Sequence, residues 1–352
     1  MVKTLADRKR KWLDFMDPGS DERTIFLVNT DAEGPGPRPL PQPRLLKERV
    51  EWAYENYGAQ LSRMEWLRDD RVPALEPYTG TEIFAEAFGC KVHYPDNDMP
   101  FALPKYFSAA EAAEMKVPGV HDTPLHDLFE TARRLRQRAG EGAALRLPDV
   151  QSPLDIAALI LYKEEFYSAM VEAPELIREL AAKAQALLTA FLDEWFREFG
   201  SAYIAHFPDY YMEGGVTLSE DEIGAFSPAM FNDFCLGTLN ALSDRYGGIG
   251  IHTCADSEHQ WENIKKVKGL RLLNFVRSAD GIRESFECFG GAVAHWPIVN
   301  GSPDLESDPQ WLSACPDNVH AVITYRAKTR RAAAETARRA EELCARRRAA
   351  NV

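Results

Sequence analysis

The chain predicts an α/β protein built as a (β/α)8 barrel with an N-terminal helical extension. Three observations lead there. From Gly142 onward, short apolar strands alternate with amphipathic helices, about five strand–helix units in roughly 200 residues, which calls for parallel strands joined by crossover helices. The 352 residues hold the ~250 of such a barrel together with insertions. Two helices open on Ser-Pro, at Ser152-Pro153 and Ser227-Pro228, an N-cap followed by a proline whose missing N–H costs nothing there. An open doubly wound sheet is the alternative arrangement of the same units. No internal repeat or interdomain linker is visible, so residues 1–352 read as one barrel domain, with 1–20 as the helical extension.

Each element has its own signal. "LADRKRKWLDFM" is helical, and "DPGSDER" breaks it before the β-branched and aromatic run "TIFLVN". "TDAEGPGPRPLPQPR" is a proline- and glycine-rich loop. "LLKERVEWAYENYGAQLSRMEWL" has apolar residues at helical spacing. The stretch from Arg71 to Gly142 mixes two helices with the polar loop "HYPDNDMPFALP". Beyond it come strand "AALRLPD", helix "SPLDIAALILYKEEFYSAMVEAP" and the long amphipathic helix "PELIRELAAKAQALLTAFLDEWFREFG". Strand "AYIAHF", a loop, and helix "SPAMFNDFCLGTLNALSDRYGG" follow. The series continues with strands "IGIHTC", "LRLLNFV", "AVAHWPIV" and "VHAVITYRA", and ends on the helix "TRRAAAETARRAEELCARRR".

Composition narrows the function classes. With 45% hydrophobic and 27% charged residues this is an ordinary globular chain. A net charge of −13 argues against a nucleic-acid surface. Basic residues gather in the last helix, where interleaved glutamates make a solvated face of acid–base pairs the simpler account. No stretch reaches the ~18 apolar residues of a membrane span, and the charged N-terminus has no signal-peptide core. The expected location is the cytoplasm. There Cys90, Cys235, Cys254, Cys288, Cys315 and Cys344, which show no disulfide-framework spacing, would be free thiols or ligands.

A parallel barrel places its chemistry at the C-terminal ends of the strands. That rule selects Asn29 and Asp31, Asp149 and Gln151, the segment after "AHF", His252 and Cys254, Asn274, His295, and Tyr325 with Arg326. His252 and Cys254 are two apart and share one face of a strand, so a single zinc ion can meet both. Equally, a cysteine and a histidine at a strand end can simply pack and hydrogen-bond. Asp149 stands before the Ser-Pro start, placed either to cap that helix or to act. In "TLSEDEIGAFSP", one of Glu220, Asp221 and Glu222 offers a general acid or a substrate-binding carboxylate, or the three make an exposed acidic loop. Tyr210 and Tyr211 in "HFPDYYMEGG" either line a pocket or pack over the barrel mouth. Phosphate-cradling glycine loops, a G-x-S-x-G elbow and CxxC pairs are all missing, which disfavours nucleotide-dependent, serine-hydrolase and thioredoxin-like chemistry.

Four segments taken in order carry a resemblance: "DVQSPLDIAALIL", "APELIRELAAKAQALLTAFLDEW", "SEDEIGAFSPAMFNDFCLGTLNAL" and "GGIGIHTCADSEHQWENIKKVKGLRLLNF". Together they resemble the uroporphyrinogen decarboxylase superfamily, which includes corrinoid- and cobalamin-linked methyltransferases. The likeness is best over residues 140–290. In true decarboxylases an arginine- and glycine-containing loop after the first strand grips substrate carboxylates. Here "FLVNTDAEGPGPRPLPQPR" has Arg38 and Arg44 but also Asp31 and Glu33, which would repel a polycarboxylate.

The methyltransferase branch therefore fits better. That resemblance implies a zinc held by a His-x-Cys pair and a distant cysteine, activating a thiol toward a methyl group on cobalt. His252 and Cys254 match the pair. No cysteine stands in "VHAVITYRAKT", where the third ligand is expected, and neither Cys288 nor Cys315 is well placed. Either another side chain, such as His295 or Tyr325, completes the site, or the pair is kept without zinc.

The resulting expectation is a methyltransferase acting on a small-molecule substrate, with a corrinoid or corrinoid protein as donor or partner and a homodimer as the possible assembly. Asp149, Glu220 and Asp221 are its candidate catalytic residues. Asn29, Gln151, Tyr211, Asn274, His295 and Tyr325 are its candidate substrate contacts. A metal-free decarboxylase or lyase is the alternative, and a non-catalytic barrel that holds a tetrapyrrole or corrinoid is a third.

Overall fold

The computed structural model describes residues 3–30, 32–299 and 308–349. Asp31, one of the expected rim residues, lies outside them. Thirteen strands occur among the described residues: β1 (Thr24–Asn29), β2 (Ala74–Leu75), β3 (Lys91–His93), β4 (Phe101–Leu103), β5 (Ala144–Arg146), β6 (Ala202–Ile204), β7 (Tyr211–Glu213), β8 (Val216–Ser219), β9 (Ile249–Thr253), β10 (Leu270–Arg277), β11 (Ala294–His295), β12 (Ile298–Val299) and β13 (His320–Arg326). Parallel pairing runs β8–β9–β10–β11–β13–β1 on one side and β2–β5 on the other.

Two seams close the ring. At the first, the continuation of β5 reaches β8: Ser219 N–H donates to Val150 O (2.9 Å) and Ser152 N–H to Ser219 O (2.8 Å). At the second, side chains stand in for a strand. Asp70 N–H donates to Phe26 O (3.0 Å), while Asp70 Oδ2 and Asp69 Oδ2 accept the N–H groups of Phe26 (2.9 Å) and Val28 (3.2 Å). Strands β1, β2, β5, β8, β9, β10, β11 and β13 thus make the eight-stranded parallel barrel that the strand–helix rhythm predicts.

One strand assignment differs from expectation. The run "AYIAHF" pairs with β5 but turns back at once, so β6 and β7 form an antiparallel hairpin. The barrel strand is instead the short β8, which follows Gly214-Gly215. Tyr210, at the hairpin turn, fills the space beside β9, where a Cβ on Gly250 would lie 2.4 Å from the Tyr210 hydroxyl. Gly250 is therefore needed for close approach, because any side chain there would collide with the ring.

Alternation along β1 and β13 divides the core. Ile25, Leu27 and Val322 join the large cluster that contains the barrel interior. Phe26, Val28, Ala321, Ile323 and Tyr325 face a second layer formed with Ala333, Ala337, Ala340 and Cys344 of the Arg330–Ala349 helix. The outer side of that helix carries the acid–base pairs expected of it, including Arg331–Glu335 (3.0 Å) and Arg338–Glu342 (2.7 Å).

The N-terminal extension is the Leu5–Met16 helix, capped by Thr4. It crosses the N-terminal end of the barrel: Phe15 O accepts from His320 Nδ1 at the start of β13 (2.7 Å), and Trp12 stacks on Trp296. It also neutralises the carboxylates of the second seam. Arg8 reaches Asp69 (2.7 Å), and Lys3 and Lys11 reach Asp70 (2.7 Å each). No helix among the described residues is long and apolar enough to cross a membrane.

Candidate metal centre and mouth cleft

At the C-terminal end of the barrel the ends of β8 and β9 lie side by side, Ser219 in register with His252. Two residues past β8, Asp221 faces the His-x-Cys pair. The ligand atoms of Asp221, His252 and Cys254 all lie within 4.8 Å of one another, the one such acid, histidine and cysteine group among the described residues. Oxygen, nitrogen and sulfur donors converging this closely from three side chains match a zinc site with one position left open.

Each donor is held from behind. His252 Nδ1–H donates to Asn274 Oδ1 (2.5 Å) on β10, and the Asn274 amide donates onward to Trp296 O (2.5 Å). Because Trp296 O only accepts, it fixes which way the Asn274 amide points, and that sets the histidine tautomer and leaves Nε2 for the mouth. Burial holds the His252 pKa below the ordinary histidine value, with the Asn274 bond opposing it, so the ring stays neutral as a ligand must. Phe207 stands edge-on to this ring at 4.8 Å.

Asp221 is aimed by Asp155, whose Oδ2 and Oδ1 accept the backbone N–H groups of Asp221 (2.8 Å) and Glu222 (3.0 Å). Cys254 is exposed, and its N–H donates to Asp221 Oδ1 (2.7 Å). Behind it, Arg277 bonds Ser257 (2.7 Å) and Ala255 O, bracing the loop after β9. Burial, reinforced by the nearby Asp221 charge, raises the Cys254 thiol to about 11, a cost that a cation seated between the two groups would remove.

Asp149 lies on the same rim. It does not cap the following helix: Ser152 does, accepting from Asp155 N–H (3.0 Å). The Asp149 carboxylate instead accepts from Gln151 Nε2 (2.5 Å), and its N–H donates to Thr79 Oγ1 (2.8 Å). Burial raises its pKa to about 6, with the Gln151 bond opposing and Asp221 adding to the shift.

Beyond Phe207 the mouth widens into a cleft of about 520 Å³ lined by Asn29, Arg38, Glu76, Arg146 and Asp209, among others. Arg71 bonds Asn29 Oδ1 (2.5 Å) and Asp209 (2.9 Å), so the Asn29 side chain points inward from the end of β1.

Four expected site residues point elsewhere. Tyr325 faces the outer layer from β13, donates to Asp308 (2.9 Å) and packs with the last helix. His295 is buried against Phe286 and Phe289, faces Gly290 O (3.2 Å) and is held neutral by burial, at about 4. Tyr211 lies under the N-terminal helix, with Lys9 Nζ 5.4 Å from its ring. Glu220 turns into the wall toward Asp155 and Cys235. Its folded-state pKa is raised by burial, reinforced by Asp155. For Tyr325 alternation along β13 decides the outcome, whereas Tyr211 belongs to the antiparallel β6–β7 hairpin beside the N-terminal helix. Cys288 and Cys315 are equally remote from the pair, near Glu262 and Arg347 respectively. Asp221, by contrast, stands beside His252 and Cys254. The strand-end rule would have reached it had β8 been legible as a strand.

With the geometry in hand, comparison identifies the lineage. The sequence profile described as Uroporphyrinogen decarboxylase (URO-D) matches residues 77–281, more than half of the chain. The chain belongs to the uroporphyrinogen decarboxylase family. Among solved structures, a methyltransferase from Methanosarcina mazei superposes with a TM-score of 0.67 at 14% identity, covering 95% of this chain and 99% of that one. At that identity the likeness establishes the fold. No curated protein sequence matches the chain.

Proposed function

We propose that this family member is a methyltransferase that passes a methyl group from a corrinoid, or another small methylated donor, to a thiol or similar acceptor. Asp221, His252 and Cys254 would be its zinc ligands. The observation that carries this reading is the convergence of those three donors within 4.8 Å at the ends of two neighbouring strands. Bound there, zinc would lower the pKa of an acceptor thiol, so that the nucleophilic thiolate is present at neutral pH.

The remaining work falls to the chain's own side chains. His252 is offered in one tautomer by Asn274. Asp149, poised at about 6, is placed to take the proton that the acceptor thiol releases. The S–C bond then forms as the methyl–donor bond breaks, its electron pair staying with the donor. Gln151 holds the Asp149 carboxylate. The exposed Phe207 and Cys254 leave the rim open to a large donor such as a corrinoid protein. Six free cysteines suit a reducing cytoplasm.

Two measurements on protein purified without chelator test this together. Elemental analysis should find about one zinc per chain. Methylcobalamin should lose its methyl group, read by visible absorption, only when a thiol is present. A zinc-free protein whose activity survives His252→Ala overturns the reading.

The carboxyl group of Asp149 favours a second reading, a metal-free decarboxylase or lyase that uses this acid on a smaller substrate. Turnover that persists in chelator but is lost in Asp149→Asn selects it.

A further inference from the structure

Glu82 stands out among the buried groups that the metal centre does not use. Only 4% of the residue is exposed, and its Oε2 has no hydrogen-bond partner. Gly80 leaves the space that this carboxylate occupies, since a Cβ there would come 2.4 Å from Oε2. Burial, reinforced by Asp149 and Glu86, raises its pKa to about 7. A carboxyl group held in this way weakens the fold at neutral pH, so stability gives no reason for its presence.

The group borders a cleft of about 290 Å³, distinct from the one at the mouth. Its walls are apolar, made by Pro41, Pro43, Leu46, Ile83, Leu125 and Leu128. Its polar groups are few: the carboxylates of Glu82, Glu86 and Asp127, the Arg49 guanidinium, and the hydroxyls of Tyr94 and two threonines. An apolar enclosure with a handful of convergent polar groups is the make-up of a small-molecule site. Arg49 does not neutralise it. Its Nη2 donates away, to Tyr78 O, and its buried Nε has no partner. Three carboxylates against one guanidinium leave an excess of negative charge.

We infer that this second cleft binds a small organic ammonium ion, its N–H groups held by Glu82 and its apolar body lying between the prolines and leucines. Two observations choose that class. The acidic cleft favours a cation, and the orphaned Glu82 Oε2 supplies the acceptor that an ammonium requires. The three carboxylates do not draw together as Asp221, His252 and Cys254 do, which form the one convergent group within 4.8 Å among the described residues. Their spacing therefore suits an extended organic cation rather than a metal ion. The cleft adjoins the catalytic rim without sharing it: Thr79 lines the cleft, and its Oγ1 accepts the Asp149 N–H (2.8 Å). The inference does not rest on the methyltransferase reading.

Isothermal titration at low ionic strength tests it, with benzylamine and butylamine as probes and benzyl alcohol and butanol as their uncharged counterparts. At least one amine should bind saturably, about tenfold or more tighter than its alcohol. Glu82→Gln should weaken that amine by about tenfold and leave the alcohol within about twofold. Asp127→Asn, at the exposed rim, should weaken the amine by a smaller factor. His252→Ala should leave amine binding unchanged, so failure of the metal reading does not register in this experiment. Thermal unfolding establishes that each variant is folded. Three outcomes overturn the proposal: no saturable binding of either amine to wild-type protein, an alcohol that binds as tightly as its amine, or undiminished amine affinity in folded Glu82→Gln.

Discussion

Asp221 Oδ1 accepts the backbone N–H of Cys254 at 2.7 Å, tying the turn after β8 to the end of β9. The bond does more than close a loop. It holds a carboxylate beside a thiol whose pKa that same carboxylate helps to raise. Two groups that would repel when both are ionised are kept together by a main-chain hydrogen bond, and a shared cation is the arrangement in which both can ionise.

From this relationship comes the first prediction. Asp221→Ala should lower zinc affinity by more than the roughly 10–100-fold that a change behind the ligands costs, since it removes a donor itself. Asp221→Asn keeps the acceptor for Cys254 N–H and loses the charge, so it should fall between Asp221→Ala and wild type. Competition against a chromophoric chelator measures both. Equal affinities in all three proteins would show that Asp221 is not a ligand.

A second prediction concerns Asn274, which touches His252 and not the proposed metal. Asn274→Leu should release the ring tautomer and cost about 10–100-fold in zinc affinity. Asn274→Asp supplies the same acceptor oxygen to Nδ1–H and should recover much of that loss. A purely packing role would lower the unfolding midpoint in both variants without distinguishing their zinc affinities.

How far the sequence alone led is clearest at these residues. His252 and Cys254 were legible because a period of two is local: the strand puts both on one face whatever surrounds it. Asp221 was recognised as a useful carboxylate but not as their partner. Its strand is only four residues long, opens on Gly214-Gly215, and is visible only through its pairing with neighbouring strands. Tyr325 stands near the end of β13 but on its outer face, whereas His295 pairs with Ala321 near the start of that strand. For Tyr325 the signal was available, since Ile323 and Tyr325 alternate with Val322, which faces inward. Of the mouth cleft, Asn29, Arg38 and Arg326 are legible singly, but their meeting with Arg71 and Arg146 is not, because residues from 38 to 326 come together only after the chain has closed. The barrel itself was legible because strand–helix alternation is a pattern of composition, repeated along the chain.

The second seam of the barrel yields a stability prediction. Asp70 is fully buried, accepts the Phe26 N–H and holds Lys3 and Lys11. Burial raises its pKa, yet the two lysines outweigh burial and bring it below the usual carboxylate value. Asp70→Ala removes a strand-edge acceptor and the nearer carboxylate of two partly buried ammonium groups, leaving Lys3 and Lys11 only the more distant Glu341 (3.8 Å) and Glu22 (3.9 Å), so it should cost about 3 kcal/mol. Asp70→Asn retains the acceptor and should cost less. Urea unfolding of the three proteins gives the ranking, and an Asp70→Ala variant as stable as wild type contradicts this account of the seam.

Glu82 gives the opposite pH signature. It lines a separate cleft of about 290 Å³ with Arg49 and Tyr94. Burial is the main reason its pKa rises to about 7, opposed by backbone N–H groups and reinforced by Asp149 and Glu86. An unfolded glutamate titrates near 4.5, so between pH 4.5 and about 7 the folded chain binds more protons at this position than the unfolded chain. Stability from this group is therefore fully present below pH 4.5, falls as pH rises through the window, and is level above it. At 1.36 kcal/mol per pKa unit the total is on the order of 3 kcal/mol. Glu82→Gln has no proton to lose. Relative to wild type it should gain stability progressively from pH 4.5 to 7 and hold that gain at pH 8, while the two proteins converge at pH 4. Urea unfolding at pH 4, 5.5 and 8 reads the difference directly. A Glu82→Gln variant that is less stable than wild type at pH 8 would mean that the carboxylate is held by partners stronger than the burial that opposes it.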